Sequence, residues 1–249
     1  MTRIRQVALV ARELEPVVAD LRAVLGIEVG YKDAGVGKYG LENVVMPVGD
    51  TFLEVVAPVT EGTTAGRYLD RRNGDGGYMV IMQVPDIEAV RRHVEELGIR
   101  VVERIDRPGA WATQLHPKDV PGSFLSLDAM DPPEEWQWAG PNWLEHVAPG
   151  VTGITAAELQ ADDPGALAKR WAEVLQVPVS AGANGPEIRL EGGHLRFVPA
   201  TDGRGDGLAG IDVALADPTS ALVRAAARGL PVNGDVVTLC GMRVRILNG

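Results

Sequence analysis

The sequence predicts an α+β fold assembled from four βαβββ modules taken in pairs. Three observations carry that reading. Four stretches open on a short strand-like run, each run leads into a segment with the 3.6-residue apolar period, and short apolar runs follow each segment. The openings recur roughly every 50–75 residues, too far apart for most solenoid arrays.

The first module opens at 4–10. Its helix places Val17, Val18, Leu21, Val24 and Leu25 on one face, and strands follow at 44–46 and 52–56. The second opens at 78–84. Asp86 is suited to cap its helix and Gly98 to end it, and strands follow at 100–102 and 123–127. A third opening at 153–159 precedes a helix starting near Asp162. Pro164 sits in its first turn, where a missing N–H costs least, and strands follow at 188–190 and 194–198. The fourth opens at 210–215, with a helix between Asp217 and Gly229 and strands at 236–239 and 242–247.

Pairing the modules puts one domain at 1–130 (modules 1–60 and 77–130) and a second at 151–249 (modules 151–200 and 208–249). The join at 131–150 is proline-rich and breaks both periodicities, yet holds Trp136, Trp138 and Trp143, three of the five tryptophans. Rings of that size are expected to pack, either over a cavity mouth in one half or as glue between the halves.

Apolar residues make up 45% and charged residues 23%, a composition that excludes a disordered chain. The net charge of −10 argues against nucleic acid, whose phosphates need a basic face. No apolar run is long enough to span a membrane, and the N-terminus has no signal-peptide pattern. A single cysteine, Cys240, permits no intrachain disulfide and suits a reducing cytoplasm. Neither G-x-S-x-G nor C-x-x-C nor H-E-x-x-H occurs, and the glycine runs at 74–77 and 203–207 do not link a strand directly to a helix as a phosphate loop does.

Three segments carry a resemblance. The run Thr63-Thr64-Ala65-Gly66-Arg67-Tyr68-Leu69-Asp70-Arg71-Arg72 with its glycine turn, the segment Leu115-His116-Pro117-Lys118 followed by Gly122, and the strand Phe52-Leu53-Glu54-Val55-Val56-Ala57-Pro58 resemble the vicinal oxygen chelate superfamily. That group includes glyoxalase I, bleomycin-resistance proteins, extradiol dioxygenases and methylmalonyl-CoA epimerase, and the first half is most similar to the epimerase branch. The resemblance implies that each pair of modules forms a cupped, barrel-like sheet around a small-molecule site.

It also implies four inward-facing metal-ligand positions per cup, usually His, Glu or Gln. In the first half they fall on Gln6, Glu54, Met79, with Tyr78 beside it, and Ser126. A thioether and a neutral hydroxyl are poor partners for a divalent ion, so no metal and no cofactor are expected. In the second half the fourth-strand positions fall on Arg196 and Arg245, and arginine never ligates a metal. Those arginines, with Arg243, either converge on an anion or are solvated surface charges.

Two functions remain open. One is a protein that binds a small organic molecule through Gln6, Tyr78, Met79, Lys118, Ser126, Arg196 and Arg245. The other is a lyase, isomerase or dioxygenase-type enzyme acting on a small carbonyl, acyl or phenolic substrate. In that case Glu54, a carboxylate in an apolar strand, is the candidate general base, and His116 is a second catalytic candidate. A four-module chain is expected as a monomer or homodimer.

Overall fold

Each expected opening run is a strand, and each is followed by its helix. The computed structural model describes residues 1–249. The first half runs β1 (Arg3–Val10), α1 (Leu14–Leu25), β2 (Leu41–Val48), β3 (Thr51–Pro58), α2 (Thr64–Arg72), β4 (Gly76–Gln83), α3 (Ile87–Glu96), β5 (Val101–Arg107), β6 (Ala110–Leu115) and β7 (Phe124–Met130). The second half runs β8 (Val151–Ala161), α4 (Pro164–Leu175), β9 (Val179–Gly182), β10 (Gly185–Leu190), β11 (Gly193–Pro199), β12 (Gly207–Leu215), α5 (Pro218–Ala227), β13 (Val232–Asn233), β14 (Val236–Leu239) and β15 (Met242–Asn248).

The strands form two curled sheets, ordered β2-β3-β1-β4-β7-β6-β5 and β13-β14-β15-β12-β8-β11-β10-β9. In each sheet the two opening strands lie antiparallel at the centre, β1 beside β4 and β8 beside β12. Each also pairs in parallel with the last strand of its own module: β1 with β3, β4 with β7, β8 with β11 and β12 with β15.

Local chemistry explains the helix ends. Asp86 accepts from Ala89 N and Asp217 from Ser220 N, each satisfying a donor in the first turn. The third cap is Asp163, not Asp162; it accepts from Ala166 N directly before Pro164. All five apolar residues read onto one face of α1 are buried.

The first module departs from the repeat. Its second strand is reduced to one bridge, Tyr31 to Val45, and Ala34–Tyr39 forms a 3₁₀ turn instead. Asp33 starts that turn by accepting from Gly35 N, and Gly40 ends it at φ +71°. Strands β6, β9 and β13 were not expected. β9 and β13 have only four and two residues, and all three are made strands by pairing with their neighbours.

The faces that carry α1, α3 and α4 share one apolar core of 53 residues drawn from both sheets. Close backbone approach joins the sheets at Gly77, where a Cβ would lie 2.5 Å from the Leu208 carbonyl oxygen. Two arginines stitch the same seam. Arg72 donates to the carbonyls of Arg204, Gly205 and Asp206, and Arg204 donates back to those of Arg72, Gly74 and Asp75.

Candidate functional site

The other face of the first sheet is concave and holds a cavity of about 430 Å³. Strand alternation sends side chains there. On β3, Leu53 and Val55 enter the core while Glu54 and Val56 face the cavity; on β7, Leu125 and Leu127 enter the core while Phe124, Ser126 and Asp128 face it. Two bulges break the alternation usefully. The β1–β4 register slips at Arg5 and again at Tyr78, so neighbours Tyr78 and Met79 both line the cavity.

Glu54 sits at the centre of a fixed network. Its two carboxylate oxygens accept from Gln6 Nε2 at 2.8 Å and from Asn43 Nδ2 at 2.6 Å. Each amide is oriented by a donor that cannot accept: Trp136 Nε1 donates to Gln6 Oε1 at 2.7 Å, and Asp33 N donates to Asn43 Oδ1 at 2.9 Å. Burial raises the Glu54 pKa above the ordinary carboxylate value, and the nearby Asp33 charge adds to it. The two amide bonds act in the opposite sense.

Asp128 is the second buried carboxylate of the cavity. Ser126 donates its hydroxyl to Oδ1, and Trp138 Nε1 donates to Oδ2 at 2.8 Å. Burial pushes its pKa up to about 7 despite both bonds. Tyr78 stays a protonated phenol, since burial pushes it to about 12.

The tryptophan-rich join forms part of this site. Trp136 stacks on Phe52 with ring centroids 5.9 Å apart, and Trp143 meets the same ring edge-on at 4.9 Å. The buried Arg5 guanidinium lies within 5.5 Å of all three ring centroids and donates to the carbonyls of Asp50 and Glu134. Trp138 reaches the cavity wall itself. Opposite, Lys38 and Tyr39 both bond to Glu103 on β5. The Lys38–Tyr39 turn precedes edge strand β2, and β5 is the other edge, so this clasp joins the two sheet edges across the mouth.

Of the residues singled out in the sequence, Gln6, Glu54, Tyr78, Met79 and Ser126 line the one cavity. His116 and Lys118 do not. They form a turn after β6 in which Lys118 N donates to His116 Nδ1 at 3.2 Å. Arg196 and Arg245 are not part of the cavity either. Arg196 donates to Glu158 at 2.7 Å and to both oxygens of Asp212 at 2.9 and 3.0 Å. Arg243 donates to Glu158, and Arg245 to Asp235. Buried carboxylates thus answer Arg196 and Arg243 and the half-exposed Asp235 answers Arg245, so the guanidinium groups form no open anion site.

Sequence reading missed Asn43, Asp128 and the bonds that Trp136 and Trp138 make to Gln6 and Asp128, though a place for these rings over a cavity was one of its two readings of the join. Only Asp128 left a local signal: it lies two residues past Ser126, on the same face of the same strand.

A glyoxalase-like domain model matches residues 7–175 of the chain. Ethylmalonyl-CoA/methylmalonyl-CoA epimerase of Cereibacter sphaeroides is 29% identical over 132 residues, which are 51% of this chain and 98% of that protein. Among solved structures, a hypothetical protein from Staphylococcus aureus superposes with a TM-score of 0.69 over all of both chains at 12% identity. A mutant of 4-hydroxymandelate synthase from Streptomyces coelicolor gives 0.68 at 13% identity, covering 92% of this chain and 75% of that one. These two likenesses speak for the fold alone.

Proposed function

The chain belongs to the glyoxalase-like domain family, and from that premise we propose that it binds a small organic molecule in the cup of its first sheet without a metal ion. The orientation of Gln6 carries the reading. A glutamine ligates a metal through its oxygen, and here that oxygen is bonded to the Trp136 indole while the NH₂ faces Glu54. Met79 and Ser126 complete the four positions with a thioether and a hydroxyl already committed to Asp128. Three His, Cys, Asp or Glu side chains do not gather anywhere in a metal-binding group. We place the binding domain at 1–130, the second domain at 151–249 and the join at 131–150.

A native mass spectrum, taken as purified and again after adding Zn²⁺, Mn²⁺ or Ni²⁺, tests this. The expected result is no stoichiometric metal. One metal per chain, lost in a Glu54→Gln variant, overturns the proposal.

A second reading is favoured by one observation: Glu54 is a buried carboxylate of raised pKa facing the cavity. Such a group accepts a proton more readily than an exposed glutamate and suits a general base. The epimerase relative makes proton abstraction beside a carbonyl the reaction to assay. On this reading Glu54→Gln abolishes turnover of an acyl thioester while the fold persists. Turnover retained in that variant removes Glu54 as the base.

A further inference from the structure

Buried carboxylates in the two halves are treated differently. In the second half Glu158 is held by Arg196 and Arg243, and Asp212 by Arg196. In the cup, Glu54 and Asp128 are equally buried, 7% and 2% exposed, yet accept only from neutral groups: two amides, a hydroxyl and an indole.

The charged groups around the cavity do not make good the difference. Lys38 is held by Glu103 at the mouth. Arg107 is exposed and lies over the Trp138 ring, 5.5 Å from its centroid. Asp33 adds a further negative charge near Glu54. Taking a carboxylate out of water without a counter-charge is costly; one half meets that cost with arginine, while in the other no cation bonds to the carboxylates and their hold on a proton tightens instead. Each of the four cup oxygens makes one bond and retains acceptor capacity for another. Tyr78, Phe124 and Trp138 add aromatic walls, which attract cations.

We propose that the cup takes an organic cation, an amine with a small apolar body, whose N–H groups bond to Asp128 and whose charge the Glu54 carboxylate on the same cavity wall also favours. This rests on the reading that the cup of the first sheet is the ligand site. The net charge of −10 works in the same direction at long range. Because Asp128 must ionise to serve fully, cation affinity increases from pH 6 to pH 8.

Three probes of similar size test this by calorimetry at pH 8: 2-phenylethylammonium, 2-phenylethanol and 3-phenylpropionate. The indole N–H resonances of Trp136 and Trp138 report whether a probe enters the cup. The ammonium is expected to bind about tenfold or more tighter than the alcohol, as charge-assisted bonds exceed neutral ones, and the carboxylate to bind least. Asp128→Asn is expected to erase the ammonium preference and Glu54→Gln to reduce it, with thermal melting confirming that the variants fold. An alcohol or carboxylate that shifts the indoles and binds as tightly as the ammonium overturns the cation assignment and leaves the cup reading intact. If no probe shifts either indole, both fall.

Discussion

Trp136 donates its indole N–H to Gln6 across 130 positions of sequence, and this bond decides what Gln6 offers the cavity. An indole nitrogen only donates, so the Gln6 oxygen must face it and the amide NH₂ must face Glu54. The join between the halves therefore sets the chemistry at the centre of the first sheet.

Replacing that donor has a defined cost. Trp136→Phe leaves Gln6 Oε1 buried without its partner and is expected to destabilise the fold by about 1–3 kcal/mol, beyond the loss of ring area. Urea denaturation measures it. A midpoint equal to that of the unaltered protein would show that the bond fixes nothing.

Asp128 makes stability depend on pH in an unusual direction. Its folded pKa, about 7, lies above the ordinary 3.8, so the native state holds this proton more tightly than the unfolded chain. The contribution is full below the unfolded value and is lost as pH rises through about 7. Asp128→Asn lacks that loss. Relative to the unaltered protein, the variant is expected to gain on the order of a few kcal/mol between pH 4 and pH 8. Denaturant melts at pH 5 and pH 8 decide it, and a gap moving the other way would sink the assignment.

The ion network of the second half is structural. Arg196→Ala removes one of the two arginines on Glu158 and leaves the buried Asp212 only the 3.7 Å contact to Arg245, and is expected to cost about 3–5 kcal/mol. Affinity for a cup-bound probe should stay within error, because none of these groups lines the cavity. A variant of unchanged stability, or one that loses probe affinity while folded, contradicts this.

The clasp at the mouth should govern exchange rather than affinity. Glu103→Ala frees Lys38 and Tyr39, and the partly exposed pairing lost there is worth no more than about 1 kcal/mol. Dissociation of a cup-bound probe, followed by stopped flow, is expected to quicken. An unchanged off-rate would show that the mouth is open with the clasp in place.

The sequence by itself determined the repeat. Apolar periodicity marked all four opening strands and the buried face of α1, and Asp86 and Asp217 marked two helix starts. The family resemblance, not periodicity, put Gln6, Glu54, Tyr78, Met79 and Ser126 together, and all five line the cavity. Tertiary structure alone decided what those residues do. It brought Trp136 to Gln6, Asn43 to Glu54 and Trp138 to Asp128, and it spent Arg196 and Arg245 on the chain's own carboxylates rather than on a ligand. It also reduced the second strand of the first module to a single bridge. Periodicity reports which face a side chain takes, since that depends on backbone geometry over a few residues. The partner it meets on that face depends on strand order, bulges and a folded-back join, which bring together groups far apart in sequence.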